Sequence, residues 1–416
     1  MLGRRPSLRA CLIAAALLPA ACTTTVDSIG YNGVGGVHLR PLPDHPPPPN
    51  KLREAGKTDA DIASKIAAIF NSLFYGDPNT QAIYFPMGSD QANIQDILHN
   101  REVRTEGIGL GMMIAVELDK RTEFDRLWTY ANNVLRYKDP PSAGYFPSSC
   151  DTMMATEPCD DPYGMQQMLM ALIFAHDRWR SDSGPVDYEA GAVALLDVMR
   201  HKQDQNGGIV DGVTDVFDPD SALPFTVPTA DAATDRVGRP SIVMPAYYDL
   251  WALATGDAFW SRAAASARAF LKASAHPTTG LTPVRATFDG KPVMGSDAFL
   301  PESYRAQINM TLDEIWSGVD PWNVQEANRL LAFFSGQGID FYGTSYTLAG
   351  VPLNALRDNA LVAVNGVTAA IATNPNWSAY VEEAWNLMTP MGMVRYYDGI
   401  LELTGLLIMS GQYRVW

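Results

Sequence analysis

An all-α fold, six helical hairpins closed into an (α/α)6 barrel, follows from three features of this 416-residue chain. Apolar residues recur at helical spacing in twelve stretches, the segments between them are rich in Gly, Pro and Asn, and no run of alternating strands intervenes. The stretches begin near residues 59, 107, 122, 163, 187, 241, 257, 303, 322, 354, 376 and 397. A toroid of this kind leaves a groove at one end, lined by loops. Its repeats are structural, since no strict sequence period accompanies them.

Taken in order, residues 1–21 hold Arg4, Arg5 and Arg9, no acid, and an apolar run from Ala10 to Leu18. This is a signal-peptide pattern, and the run is too short to span a bilayer as a permanent helix. Leu18-Pro19-Ala20-Ala21-Cys22-Thr23 is similar to a bacterial lipobox with an atypical proline, so lipidation at Cys22 and ordinary cleavage nearby both stay open. Either one exports the protein, to the periplasm or as an outer-membrane lipoprotein. Residues 22–50 form a linker ending in Pro46-Pro-Pro-Pro49, which favours extended geometry and is expected to hold the body away from an anchor. Residues 51–416 are expected to form the single barrel domain.

The first long helix shows how the elements are read. Ile62, Ile66, Ile69, Phe70 and Leu73 share one face, and Thr58 with Asp61 is a capping box shortened to Asp. Val324, Ala327, Leu331 and Phe334 repeat the spacing. Cys150 and Cys159 lie in a loop rich in Pro, Ser and Asp, and in an oxidising compartment they are expected to form a disulfide.

With 47% hydrophobic and 19% charged residues, the chain is too apolar for disorder. The 46 acidic and 31 basic residues give a formal charge of −15, and loss of the three leader arginines takes it to −18. Such a surface repels phosphate backbones, which argues against nucleic acid. The six histidines never fall at HxH or HxxxH spacing, and neither a GxSxG elbow nor a P-loop is present. Asp211, Asp215, Asp218 and Asp220 lack EF-hand spacing and are expected to form a solvated loop. No cofactor or metal is expected, and the chain is expected to be a monomer.

The most informative stretch is Arg104-Thr-Glu106-Gly-Ile-Gly-Leu-Gly111-Met-Met-Ile-Ala-Val116. Glu106 lies in the first turn of an apolar helix, where it either complements the helix dipole or serves a ligand. Three glycines there let other backbone or a ligand come close.

This segment, continued to Trp128, resembles the signature of glycoside hydrolase family 8, particularly its reducing-end xylose-releasing exo-oligoxylanase branch. The resemblance continues through Gly144-Tyr-Phe146, Ala171-Leu-Ile-Phe-Ala-His-Asp-Arg-Trp179, Pro240 to Asp249, Tyr304-Arg305 with Asn309, Arg395-Tyr-Tyr-Asp-Gly399 and Ser410 to Arg414. It covers about 350 residues in one order. It implies an α/α barrel, in agreement with the helix pattern, and an inverting hydrolase of β-1,4-linked glycans. Xylo-oligosaccharides are the first expectation. Glucanase or chitosanase-like activity, or a glycan-binding barrel without turnover, are the alternatives.

Inversion needs one carboxylic acid on the leaving oxygen and one carboxylate activating water from the opposite face, with about 6.5–9.5 Å between them. The resemblance makes Glu106 the acid. The branch has Asp three residues before the arginine matching Arg305, and here Glu302 stands there as the expected base, with Asp297 as the nearest substitute. Arg305 is expected to orient or pair with that base. Tyr304 and Tyr397, in matching motifs, are expected at the substrate. The family also carries a sugar-binding aspartate where this chain has Tyr163; either Asp161 reaches in instead or the contact is gone. A relative's tryptophan after Tyr-Phe corresponds to Ser148, and Leu110 replaces a second aromatic of the acid motif. Of the aromatics near loops and helix ends (Tyr145, Phe146, Tyr163, Tyr247, Trp322, Tyr396 and Tyr397), some are expected to stack on sugar rings and most to pack in the core.

Overall fold

A computed structural model describes residues 38–148, 161–181 and 184–416. The leader, Cys22, Cys150 and Cys159 lie outside the described residues. Fourteen α-helices occur among the described residues: α1 (Lys51–Glu54), α2 (Asp59–Tyr75), α3 (Thr105–Glu117), α4 (Arg121–Tyr130), α5 (Pro162–Trp179), α6 (Tyr188–Asn206), α7 (Ala230–Asp235), α8 (Pro245–Thr255), α9 (Ala258–Ser274), α10 (Arg305–Trp316), α11 (Trp322–Gln337), α12 (Asn359–Ala369), α13 (Trp377–Trp385) and α14 (Arg395–Met409). Setting aside the short α1 and α7, twelve remain, and each begins within five residues of an expected start.

They form two concentric rings. Helices α3, α5, α8, α10, α12 and α14 make the inner ring, and α4, α6, α9, α11 and α13 pack outside as partners of the first five. The sixth hairpin is closed by the two ends of the chain, with α2 against α14. Here Leu73 of α2 presses so near Gly399 that a Cβ on the glycine would come within 2.7 Å of it.

The rings differ in how their helices are written. Outer helices bury one face: α2 buries Ile62, Ile66, Ile69, Phe70, Leu73 and Phe74 and shows its remaining faces to water. Its Thr58 cap accepts from the Asp61 amide at 3.1 Å and donates its hydroxyl to the Asp61 carboxylate at 2.6 Å. Inner helices are buried nearly all round; α5 is buried from Pro162 through Ala175. Helices α3 and α5 cross closely, since a Cβ on Gly109 would meet the Gly164 carbonyl at 2.8 Å, and one on Gly164 the Thr105 backbone at 2.5 Å. One continuous apolar core joins both rings.

Sequence reading missed a three-stranded antiparallel sheet, β1 (Tyr84–Met87), β2 (Gln91–Asp96) and β3 (Glu102–Val103), which leads directly into α3. Strand β2 alternates polar and apolar residues for only five positions, Gln91 to Gln95, and buries Asn93, Gln95 and Asp96 along with Ala92 and Ile94, so the alternation is short and does not separate a wet face from a dry one. Residues 38–50 also depart from expectation. They are extended, as a proline-rich segment should be, but lie along the barrel: Leu39 is buried, the Leu39 amide donates to Glu189 at 2.7 Å, the Arg40 amide to the Ala254 carbonyl at 2.8 Å and the Leu42 amide to Asp177 at 3.1 Å. The acidic loop is not simply solvated either. Asp215 accepts from the Gln203 amide, and Asp218 from Ser221 and Arg236, which makes both internal acceptors.

Candidate active site

Residues at or just before the N-termini of the six inner helices enclose one cavity of about 610 Å³. Every inner helix thus directs its positive dipole end toward the same space, which favours the acidic side chains collected there. Asp96, Glu106, Asp161, Glu302, Asp358 and Asp398 line it, against Arg104, Arg239 and Arg305.

Glu106 projects from the first turn of α3. Its Oε2 is ion-paired with Arg305 Nη1, and its Oε1 accepts from the Tyr396 hydroxyl at 3.3 Å. Gly107 makes room for that tyrosine, because a Cβ there would lie 2.7 Å from the Tyr396 hydroxyl. The glycines of this motif therefore admit protein neighbours. Burial alone would pull Arg305 down, but the charge of Glu106, the foremost of its anionic neighbours, outweighs it and holds the guanidinium firmly protonated. The partner expected for Arg305 was Glu302; the ring geometry instead carries the α10 arginine across to α3. In the inner ring α10 stands opposite α3, so Glu302 and Glu106 approach the cavity from opposite sides.

Glu302 sits in a one-turn 3₁₀ segment, Pro301–Ser303, just ahead of α10, where it is exposed to the cavity. The Tyr397 hydroxyl donates to the Pro301 carbonyl at 2.8 Å and so ties this turn to α14. Asp297 is exposed and is not among the cavity-lining residues.

Asp161 does reach the cavity. It caps α5 by accepting from the Tyr163 amide at 3.0 Å, and the tight α3/α5 crossing brings it beside Glu106. Burial, then the Glu106 charge, pushes its carboxyl up to about 6 in spite of Arg305 and Arg239. Tyr163 and Tyr304, expected to touch substrate, do not line the cavity. Tyr163 is 2% exposed with the Arg305 guanidinium 4.3 Å above its ring centroid, and Tyr304 turns inward to donate to the Thr344 carbonyl at 2.7 Å and Asp358 at 3.3 Å. Among the other aromatics, Tyr396 and Tyr397 line the cavity, while Tyr145, Phe146, Tyr247 and Trp322 are buried in the core.

Five of the Asp and Arg residues in the lining escaped sequence reasoning as site residues: Asp96, Arg104, Arg239, Asp358 and Asp398. Asp358 caps α12 by accepting from the Leu361 amide at 2.8 Å. An Asp just ahead of an apolar run is a helix-start signal that could have found it. Asp398 is pushed up to about 7, first by burial and then by Asp358.

The comparisons agree with this architecture. A sequence model described as Glycosyl hydrolases family 8 matches residues 87–411. A reducing-end xylose-releasing exo-oligoxylanase of Paenibacillus barcinonensis is 35% identical over 380 residues, covering 88% of this chain and 96% of the relative. Endoglucanase C of Ruminiclostridium cellulolyticum is 21% identical over 326 residues, covering 77% of this chain and 66% of the relative. Among solved structures, a family 8 xylobiose complex from Teredinibacter turnerae superposes with a TM-score of 0.83 at 33% identity, covering 88% of this chain and 97% of that one. With the ring of inner-helix N-termini and its carboxyl-lined cavity, these matches identify the chain as a member of glycoside hydrolase family 8, an (α/α)6-barrel glycoside hydrolase.

Proposed function

We propose that the protein cleaves β-1,4-linked xylo-oligosaccharides with inversion of configuration, with Glu106 as the acid and Glu302 as the base. The observation that carries this reading is the entry of two glutamates into one cavity from opposite sides of the inner ring. An inverting hydrolase needs that arrangement: Glu106 protonates the leaving oxygen, and Glu302, open to solvent, activates a water on the far face of the sugar. Arg305 and Tyr396 hold Glu106 in place, and Asp161 is positioned to accept from sugar hydroxyls at the cleavage point. Tyr397 offers an aromatic edge to the sugar while fixing the turn that carries Glu302. Xylo-oligosaccharides are favoured because the relatives of 35% and 32% identity are xylose-releasing exo-oligoxylanases.

The test is hydrolysis of xylo-, cello- and chitosan oligomers by wild type, Glu106→Gln and Glu302→Gln, with the anomer of the first product read by NMR. We expect turnover on xylo-oligomers with inverted product, and a rate loss of about 10²-fold or more in each variant. Near-full activity of Glu106→Gln on a substrate that the wild type cleaves would falsify the assignment.

The same reading includes export as a monomer through residues 1–21, a lipid on Cys22 and a Cys150–Cys159 disulfide. Intact-mass analysis of the protein recovered from membranes, before and after reduction, tests both modifications.

A further inference from the structure

The ion pair between Arg305 and Glu106 rests on a platform that the reaction itself does not need. Arg305 is 5% exposed, and its Nε has no hydrogen-bond partner among the described residues, so its position depends on Glu106 at one end and on what lies beneath its plane. Beneath it is Tyr163, with the guanidinium carbon 4.3 Å from the ring centroid, the geometry of a cation held on an aromatic face. The ring is itself fixed from below. Gln167 lies one turn along α5 from Tyr163, and the Tyr247 hydroxyl donates to Gln167 at 2.9 Å while lying 3.2 Å from that of Tyr413. Tyr163, Gln167, Tyr247 and Tyr413 are all buried, so the ring under Arg305 sits among packed neighbours.

We infer that Tyr163 is a positioning residue, and that its ring holds the Arg305 guanidinium against Glu106 in the free enzyme. This inference rests on the proposed role of Glu106 as the acid. A guanidinium seated on that face stays against the Glu106 carboxyl, so the ring fixes where that carboxyl stands in the cavity. The other groups facing Glu106 are Arg104 at the N-cap of α3, Asp161 from the cap of α5, and Tyr396 and Tyr397 from α14. None of them supports Arg305 from beneath.

The experiment compares Tyr163→Phe, Tyr163→Leu and Tyr163→Met by kcat and KM on a xylo-oligomer. Phenylalanine keeps the face and is expected to stay within about threefold of wild type. Leucine removes the face: kcat falls about tenfold with KM nearly constant. Tyr163→Met, which refills most of the ring volume without an aromatic face, carries the same expectation and replaces the leucine variant if that one does not fold. A methionine variant that keeps the wild-type kcat, or a phenylalanine variant that loses it, overturns the inference, because packing volume or the hydroxyl would then be what matters. If Glu106→Gln stays active, the acid assignment fails first; if it is dead and the methionine variant keeps its kcat, only the role of Tyr163 fails.

Discussion

Helix α3 carries a glutamate at each end, Glu106 in its first turn and Glu117 as its last residue, and the barrel puts them to opposite uses. At the N-terminal end the helix dipole favours a negative charge, and Glu106 faces the cavity with Arg305 and Tyr396 on its two oxygens. At the C-terminal end the dipole opposes the charge, and Glu117 is shut in. The chain terminus folds over it, with the Arg414 amide donating to one carboxyl oxygen at 3.1 Å and the Trp416 indole N–H to the other at 2.8 Å. Arg178 covers the outer face of that indole, 3.6 Å from the ring centroid. Burial drives the Glu117 carboxyl well above its ordinary range, which the two donated hydrogen bonds only partly offset. The same residue type on one helix therefore faces the cavity where the ring opens and is a tie where it closes.

The largest expected effect separates the two by turnover. Glu106→Gln should lower kcat by about 10²-fold or more while leaving the thermal midpoint near that of wild type. Glu117→Gln, which keeps one acceptor for the terminus, should leave kcat within about twofold. Assays on purified folded protein decide it, and a comparable loss of kcat in both variants would abolish the contrast.

Stability is expected to divide in the opposite sense. Glu117→Ala strands two part-buried donors and should cost about 1–2 kcal/mol in urea unfolding. The surviving folded fraction should keep its kcat. A stability loss below about 0.5 kcal/mol would mean that the terminal segment is held by Trp416 packing rather than by the carboxyl.

How far the sequence foretold this arrangement depends on the element. The outer helices and most inner ones were legible because their apolar spacing and caps are local properties, as in α2 with Thr58 and Ile62 to Leu73. Helix α12 was expected to begin near 354 and begins at Asn359, because residues 351–357 form an irregular approach that helical spacing alone cannot distinguish. Glu106 and Glu302 were legible through motifs, and the structure places both on one cavity. The pairing of Arg305 was not, because it depends on α10 standing across the ring from α3, a fact of closure rather than of local sequence. Tyr163 and Tyr304 were misread for a related reason. An aromatic at a helix start serves a groove or a core with equal ease, and only packing shows that Arg305 covers one ring and Asp358 receives the hydroxyl of the other. Glu117 drew no notice, since a single acid at the end of an apolar run looks like a surface residue until the terminus is seen to cover it.

A third glutamate extends the comparison and carries the smallest expected effect. Glu402 of α14 is 1% exposed, and neither carboxyl oxygen has a hydrogen-bond partner among the described residues. Burial pushes it up to about 7 against the pull of Lys65. The folded value lies above the ordinary value of 4.5, so the favourable contribution is present below about pH 4.5 and is lost as pH rises through 7. Glu402→Gln removes that loss. Its thermal midpoint should match wild type at pH 5 and exceed it by a few degrees at pH 8, whereas Glu117→Gln, which replaces a carboxyl already held by two donors, should gain less. A wild-type midpoint that does not fall between pH 5 and pH 8 relative to Glu402→Gln would show that Lys65 compensates the charge. Glu402 would then belong with the paired Glu106 rather than with the buried Glu117.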